Sequence, residues 1–309
     1  MQLSVQSIGF LGLLASLVLG NPECPNTLAI YNPTLRTTCY NATWFILPVP
    51  KATVQSLVPY PLITPPFNDK SLFPTGFPPN THPVVVSSGY QNDIRMGPLQ
   101  IESLLGASVY VPYADYLRNG KTAFQYAIQN YIGGVNGKDV LEVQALVPAL
   151  VGSLGGTTIF VADFNPNNDA YAPIASNPAT YTARVKQVII PNPISGPEVK
   201  PEAFDLAFSS TRTPLYTAKT FHTLINQPQI LNNGLLCQRN PYYFNETFAE
   251  PRLRTGNVTV YGPPAGALPS KLAGRYVGQG GYSASGQMVG YTQESCASAA
   301  AKTDPKALQ

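Results

Sequence analysis

The chain has 309 residues, only 11% of them charged, and a formal net charge of +3. Its Lys and Arg residues are scattered, so the basic stripe that nucleic acid requires is absent. No apolar run reaches the roughly 20 residues of a membrane-spanning helix, which leaves small or uncharged partners as the expectation, with no nucleic acid and no membrane.

The first segment, MQLSVQSIGFLGLLASLVLG, carries an apolar run from Ile8 to Leu19 and small residues near its end, the pattern of a secretory signal peptide over residues 1–20, although no Lys or Arg precedes the run. The remainder of the chain is expected to be extracellular. Residues 21–296 are long enough to bury a substantial core, as one large domain or two small ones by length alone and as a single domain by the likeness set out below. The four cysteines, Cys24, Cys39, Cys237 and Cys296, form an even set in an exported chain. Three pairings are open. Cys24 with Cys39 and Cys237 with Cys296 is favoured, because the short N-terminal loop is the easiest to close. Asn-X-Thr sequons at Asn41, Asn245 and Asn257 predict glycosylated loops or edges on the surface.

Prolines (31) and glycines (25) punctuate the whole length, and the apolar runs between them are of strand length. In chain order they are Thr43 to Val49, Val84 to Ser88, Ala107 to Val111, Thr158 to Ala162, Val185 to Ile190 and Asn257 to Tyr261. Helical spacing is confined to Lys51 to Leu57, after Pro50, and to Lys138 to Leu154. The glycine-rich GRYVGQGGYSASG reads as a flexible loop, and the small polar tail, residues 297–309, as disordered.

Several chemical motifs fail on spacing. GGVNGKD, from Gly133, is too short for a phosphate loop and has Asp139 where Ser or Thr must hold magnesium, so it reads as a Gly-Asn turn. GRYVGQGGYSASG lacks the glycines of a dinucleotide loop and of a nucleophile elbow. With only His82 and His222 available, neither a metal site nor a serine triad is expected, and no cofactor is implied. Asp93, Glu102, Asp115 and Glu142 are acids that could converge as a carboxylate pair.

The order of segments carries a likeness. FILPVPKATVQSLVPYPLITPP, then HPVVVSSGYQNDIR, then IESLLGASVYVPYADYL and finally RLRTGNVTVYGPPAGALPSKLAGRYV resemble the acetoacetate decarboxylase family over Phe45 to Val277. That resemblance implies an α+β domain dominated by an antiparallel β-barrel with a few short helices and an apolar interior open at one end. It also leaves a homo-oligomer open. The family's chemistry uses a lysine that forms a Schiff base with a β-keto acid, activated by a second lysine. In the matching stretch LEVQALVPALVG, residues 141–152, Pro148 and Gly152 carry over, the two lysine positions are Ala149 and Leu150, and the family's Arg-Glu pair is Glu142 and Val143. The resemblance therefore implies a barrel whose Schiff-base site is degenerate.

On the same alignment Glu102 matches a pocket glutamate and Ser87 replaces another, which turns the Ser87 face of its strand inward. Asp93 and Arg95 then pair at the rim, and Tyr110, Pro148, Ala149 and Leu150 line the pocket. Three functions stay open: an acid-base lyase of decarboxylase, dehydratase or isomerase type using Glu102 and Asp93, a binder of a small keto or polyketide-type metabolite, and a surface or structural protein. A relocated lysine, Lys138 or Lys121, would restore Schiff-base decarboxylation.

Overall fold

The computed structural model describes residues 24–136, 156–189, 199–231 and 234–308. The segment expected as a signal peptide, the helix expected over Lys138 to Leu154 and the whole 141–152 stretch lie outside the described residues.

Thirteen strands occupy the described chain: β1 (Arg36–Pro50), β2 (Thr81–Met96), β3 (Leu99–Ala114), β4 (Phe124–Gly133), β5 (Ile159–Asn165), β6 (Ala172–Ile174), β7 (Asn177–Gln187), β8 (Glu202–Ser210), β9 (Gln229–Ile230), β10 (Cys237–Gln238), β11 (Tyr242–Tyr243), β12 (Arg252–Val260) and β13 (Gly274–Gly290). Nine of them, in the order β4-β3-β2-β1-β13-β12-β8-β7-β5, form a continuous sheet whose ends meet where β4 pairs with β5, closing a barrel. Each of these neighbours is antiparallel except the closing pair, which is parallel over Asn130↔Ile159 to Ile132↔Val161. The mainly antiparallel barrel that the family resemblance implies is therefore present, and each of the six expected runs overlaps one of its strands, Ile190 lying outside the described residues.

Strand register decides which side chains face inward. Phe45 opposes Val86 and Gly281, Val86 opposes Val109, and the same face continues through Tyr131, Ala162, Val185, Phe204 and Val258. One buried cluster that touches all nine strands can only be the barrel interior. A second cluster, built on Tyr40, Trp44, Val85, Tyr110 and Tyr282, lies on the outer face of β1, β2, β3 and β13. It is covered by Phe73, Tyr216 and the helix α3, the third after the short α1 (Leu28–Tyr31) and α2 (Lys51–Gln55) and itself spanning Ala218–Ile225. Thr217 caps α3, its Oγ1 accepting from the Thr220 N–H at 3.3 Å, an arrangement worth about 1 kcal/mol.

Three expectations are corrected. GRYVGQGGYSASG is part of β13, not a loop. Its glycines are seats for rings: a Cβ at Gly281 would meet the Phe45 ring at 2.5 Å from inside, and one at Gly280 would meet Tyr216 at 2.6 Å from outside. The tail is ordered, because α4 (Cys296–Ala301) is bonded to β10 through Cys237–Cys296 and Ala307 accepts from Asn226 Nδ2 at 2.6 Å. Finally, Asn41 is no loop or edge acceptor: it lies between β13 and β2, faces inward and is 8% exposed. Asn245 is exposed in a loop and Asn257 is half-buried in β12.

Both favoured disulfides form, with Cα separations of 5.6 Å for Cys24–Cys39 and 4.8 Å for Cys237–Cys296. Two such bonds suit an oxidising compartment. Among the described residues no helix is long and apolar enough to cross a membrane. Cys24–Cys39 fastens the N-terminal segment against one end of the barrel. There Asn26 Nδ2 donates to Thr37 Oγ1 and to the Asp93 carbonyl, and Gln287 Oε1, on the inner face, accepts from Thr27 Oγ1 and Leu28 N–H.

Candidate functional site

The acids expected at the site are on the surface. Asp93 and Arg95 pair at 2.8 Å and Gln100 Nε2 donates to the same carboxylate at 2.9 Å, so the expected pairing of the two is formed, on an open hairpin. Glu102 is exposed on the same β2–β3 hairpin. These side chains surround an open surface depression, together with Asn92. Asp115 does not join them: its carboxylate accepts from the N–H groups of Asn119 and Gly120 and stabilises a turn.

Ser87 is placed opposite to expectation. It pairs with Trp44 on the outer face and shares a 2.9 Å hydrogen bond with Ser108 Oγ, while Val84, Val86 and Ser88 face inward. Tyr110 also lies in the outer layer, buried, with burial pushing its phenol pKa upward and its hydroxyl without a hydrogen-bond partner among the described residues. Pro148, Ala149 and Leu150, the third group of expected pocket residues, are outside the described residues, as are Glu142 and Lys138.

Lysines matter because an amine is the group whose loss the family likeness implies. Nine of the ten lysines fall among the described residues: eight are exposed, and Lys186 is half-buried in an ion pair with Glu202 at 2.8 Å. Lys121 is one of the exposed eight. None of the nine faces the barrel interior.

Among the described residues, the charged side chain that does face inward is that of Arg254, on β12 opposite Gly281 and Ser210. It is 4% exposed. Its position follows from strand alternation, since Arg254, Gly256, Val258 and Val260 share one face of β12, and it could have been read as a cation on an otherwise apolar stripe. Arg254 Nε donates to Ser283 Oγ at 2.9 Å, Nη1 to Ser210 Oγ at 2.6 Å and Nη2 to the Tyr171 hydroxyl at 3.3 Å. Ser283 is in turn bonded to Thr43 Oγ1 at 2.8 Å. The guanidinium carbon sits 5.1 Å from the ring centre of Tyr181, 5.5 Å from Phe208 and 5.6 Å from Tyr171.

A buried guanidinium without a counter-ion carries a desolvation penalty of several kcal/mol, which here is offset by neutral hydroxyls and by three ring faces at about 0.5–2 kcal/mol each and not by an opposite charge. Among the described residues no carboxylate pairs with it. The Tyr171 phenol is raised by burial, with the Arg254 charge acting against that rise, so it stays protonated near neutral pH. The site therefore offers a fixed positive charge, neutral hydroxyls and aromatic faces. Among the described residues no group of three or more metal-ligating side chains is assembled. His82 is buried at the start of β2 with Nε2 2.8 Å from the Pro112 carbonyl, and His222 is 3.0 Å from the Tyr282 hydroxyl in the outer layer.

No family model matches the chain, and no curated protein matches it. Among solved structures, the enduracididine biosynthesis enzyme MppR complexed with the condensation product of pyruvate and imidazole 4-carboxaldehyde is 9% identical, with a TM-score of 0.47 over 95% of this chain and 98% of that one. MppR with HEPES buffer bound is 11% identical, with a TM-score of 0.46 over 85% and 88%. An acetoacetate decarboxylase-like enzyme from Sphingomonas wittichii RW1 is 12% identical, with a TM-score of 0.45 over 85% and 93%. We assign the chain to no family on these likenesses.

Proposed function

We propose that this is a secreted barrel protein that holds a small keto or polyketide-type metabolite non-covalently, without Schiff-base chemistry. The observation that carries the reading is the distribution of cations: none of the nine described lysines faces the interior, whereas the inward-facing Arg254 is held by hydroxyls and rings. A guanidinium stays protonated throughout the physiological range and is no nucleophile toward a carbonyl, but it recognises oxygen anions well. The open setting of Asp93 and Glu102 supports a holding role over acid-base catalysis at those two residues. The two disulfides and the N-terminal apolar run support secretion.

Borohydride reduction of the mature, disulfide-bonded protein with acetoacetate, followed by intact mass, tests the non-covalent part. The expected spectrum is that of the unmodified chain, and an adduct on any lysine would overturn the proposal. A thermal-shift series with keto compounds is expected to raise Tm with concentration as RT ln(1 + [L]/Kd). A flat response across the series would remove the ligand.

A further inference from the structure

We propose that Arg254 anchors the carboxylate of a small organic acid whose flat apolar body lies against Tyr171 and Tyr181. This rests on the barrel being a ligand holder and names the chemistry of what it holds.

The guanidinium has five N–H donors, and three are directed to Ser283, Ser210 and Tyr171. One N–H on each terminal nitrogen is then without a partner among the described residues, and a carboxylate can take both at once in the bidentate geometry that Arg favours. The hydroxyls add to this. Ser210 and Tyr171 accept from Arg254, so the O–H of each remains to be donated, and an oxygen anion at the guanidinium edge is the acceptor that uses both. Serine, tyrosine and arginine thus present donors to one place, an arrangement that suits an anion and repels a cation.

Access and shape narrow the class. Arg254 itself is buried, but Ser210, at the end of β8, is exposed and Tyr171 and Tyr181 are partly exposed, so the surroundings reach solvent on that side. Tyr171 and Tyr181 stand edge to face at 5.2 Å, and Tyr181 stacks on Phe208 at 5.8 Å, so each ring is fixed by its neighbours. Such walls favour a planar or aromatic body over a flexible chain. Inorganic anions would satisfy the charge but leave the rings unused.

Titration calorimetry on the full mature protein with benzoylformate, acetoacetate and benzoate, each against its methyl ester, tests the anchor. The acids are expected to bind at least tenfold tighter than their esters, benzoylformate best of the three. R254M should weaken acid binding tenfold or more, and S210A and Y171F should each weaken it several-fold. Acid and ester binding alike, or R254M binding as the wild type does, would overturn the anchor and leave a barrel ligand standing. Neither acid nor ester binding to the wild type would sink the ligand-holding reading and this inference with it. If R254M fails to fold, the acid-to-ester ratio and the S210A and Y171F affinities decide, since the partly exposed positions of Ser210 and Tyr171 tolerate the loss of a hydroxyl.

Discussion

His82 shows how a single buried group sets a pH limit. Burial lowers its pKa to about 4 from the ordinary 6.5, partly opposed by the bond to the Pro112 carbonyl, so the folded chain holds it neutral. In the unfolded chain it gains a proton below 6.5. Between pH 6.5 and 4 the unfolded state therefore binds more protons, and stability falls as the pH falls, by about 3 kcal/mol across the whole window from this group alone. Urea midpoints measured from pH 7 to 4 should show that slope, and H82Q, which can still donate to Pro112, should flatten it. An unchanged slope in H82Q would assign it to other groups. At this scale the sequence was partly legible. The pairing of Asp93 with Arg95 follows from two same-face positions on an exposed hairpin. The inward direction of Ser87 did not follow, because β2 is covered on both sides: Val84 and Val86 meet the interior while Val85 and Ser87 meet the outer layer. Alternation separates two faces, but it names the inner one only when the other is polar.

Among elements, the two tethers differ in what they constrain. Cys24–Cys39 closes a separation of 15 residues and Cys237–Cys296 one of 59, and loop-closure entropy gives them about 3 and about 4 kcal/mol respectively. Paired Cys→Ser variants should therefore lose stability in that order when compared by urea denaturation, with C237S/C296S the weaker protein. The reverse order would mean that the N-terminal segment contributes packing beyond its covalent tie. Element type was easiest to read where Pro and Gly bound β-branched runs, as at Val84 to Ser88. It was hardest in β13, where glycine is selected by the rings of Phe45 and Tyr216 and not by a turn, and in α4, where alanines that look featureless are good helix formers anchored by Cys296. Arg254 is easily overlooked for a related reason: its neighbour Arg252 is exposed, and two arginines in RLRTGN look like a solvated pair until the face shared with Val258 and Val260 is counted.

For the whole molecule, the closing pair is the weak join. Strand directions that alternate around a ring of nine cannot return to their start without one parallel pair, and that pair is β4–β5, with three registered positions. Gly133, at the end of β4, lies close against the partner: a Cβ there would meet the Ala162 carbonyl oxygen at 2.5 Å and the Phe164 ring at 2.7 Å. G133A should therefore cost about 1–3 kcal/mol by overpacking. Hydrogen exchange should place the earliest loss of protection at Tyr131, Ile132 and Val161. Loss spread evenly over all strands would remove the special role of the join.

The consequence of that join reaches beyond stability. A closed ring offers no free row of N–H and C=O groups to another chain, whereas parting β4 from β5 turns the wall into an open sheet with exposed edges. Opening of the β4–β5 join is therefore the step that would expose strand edges to a second copy of the chain.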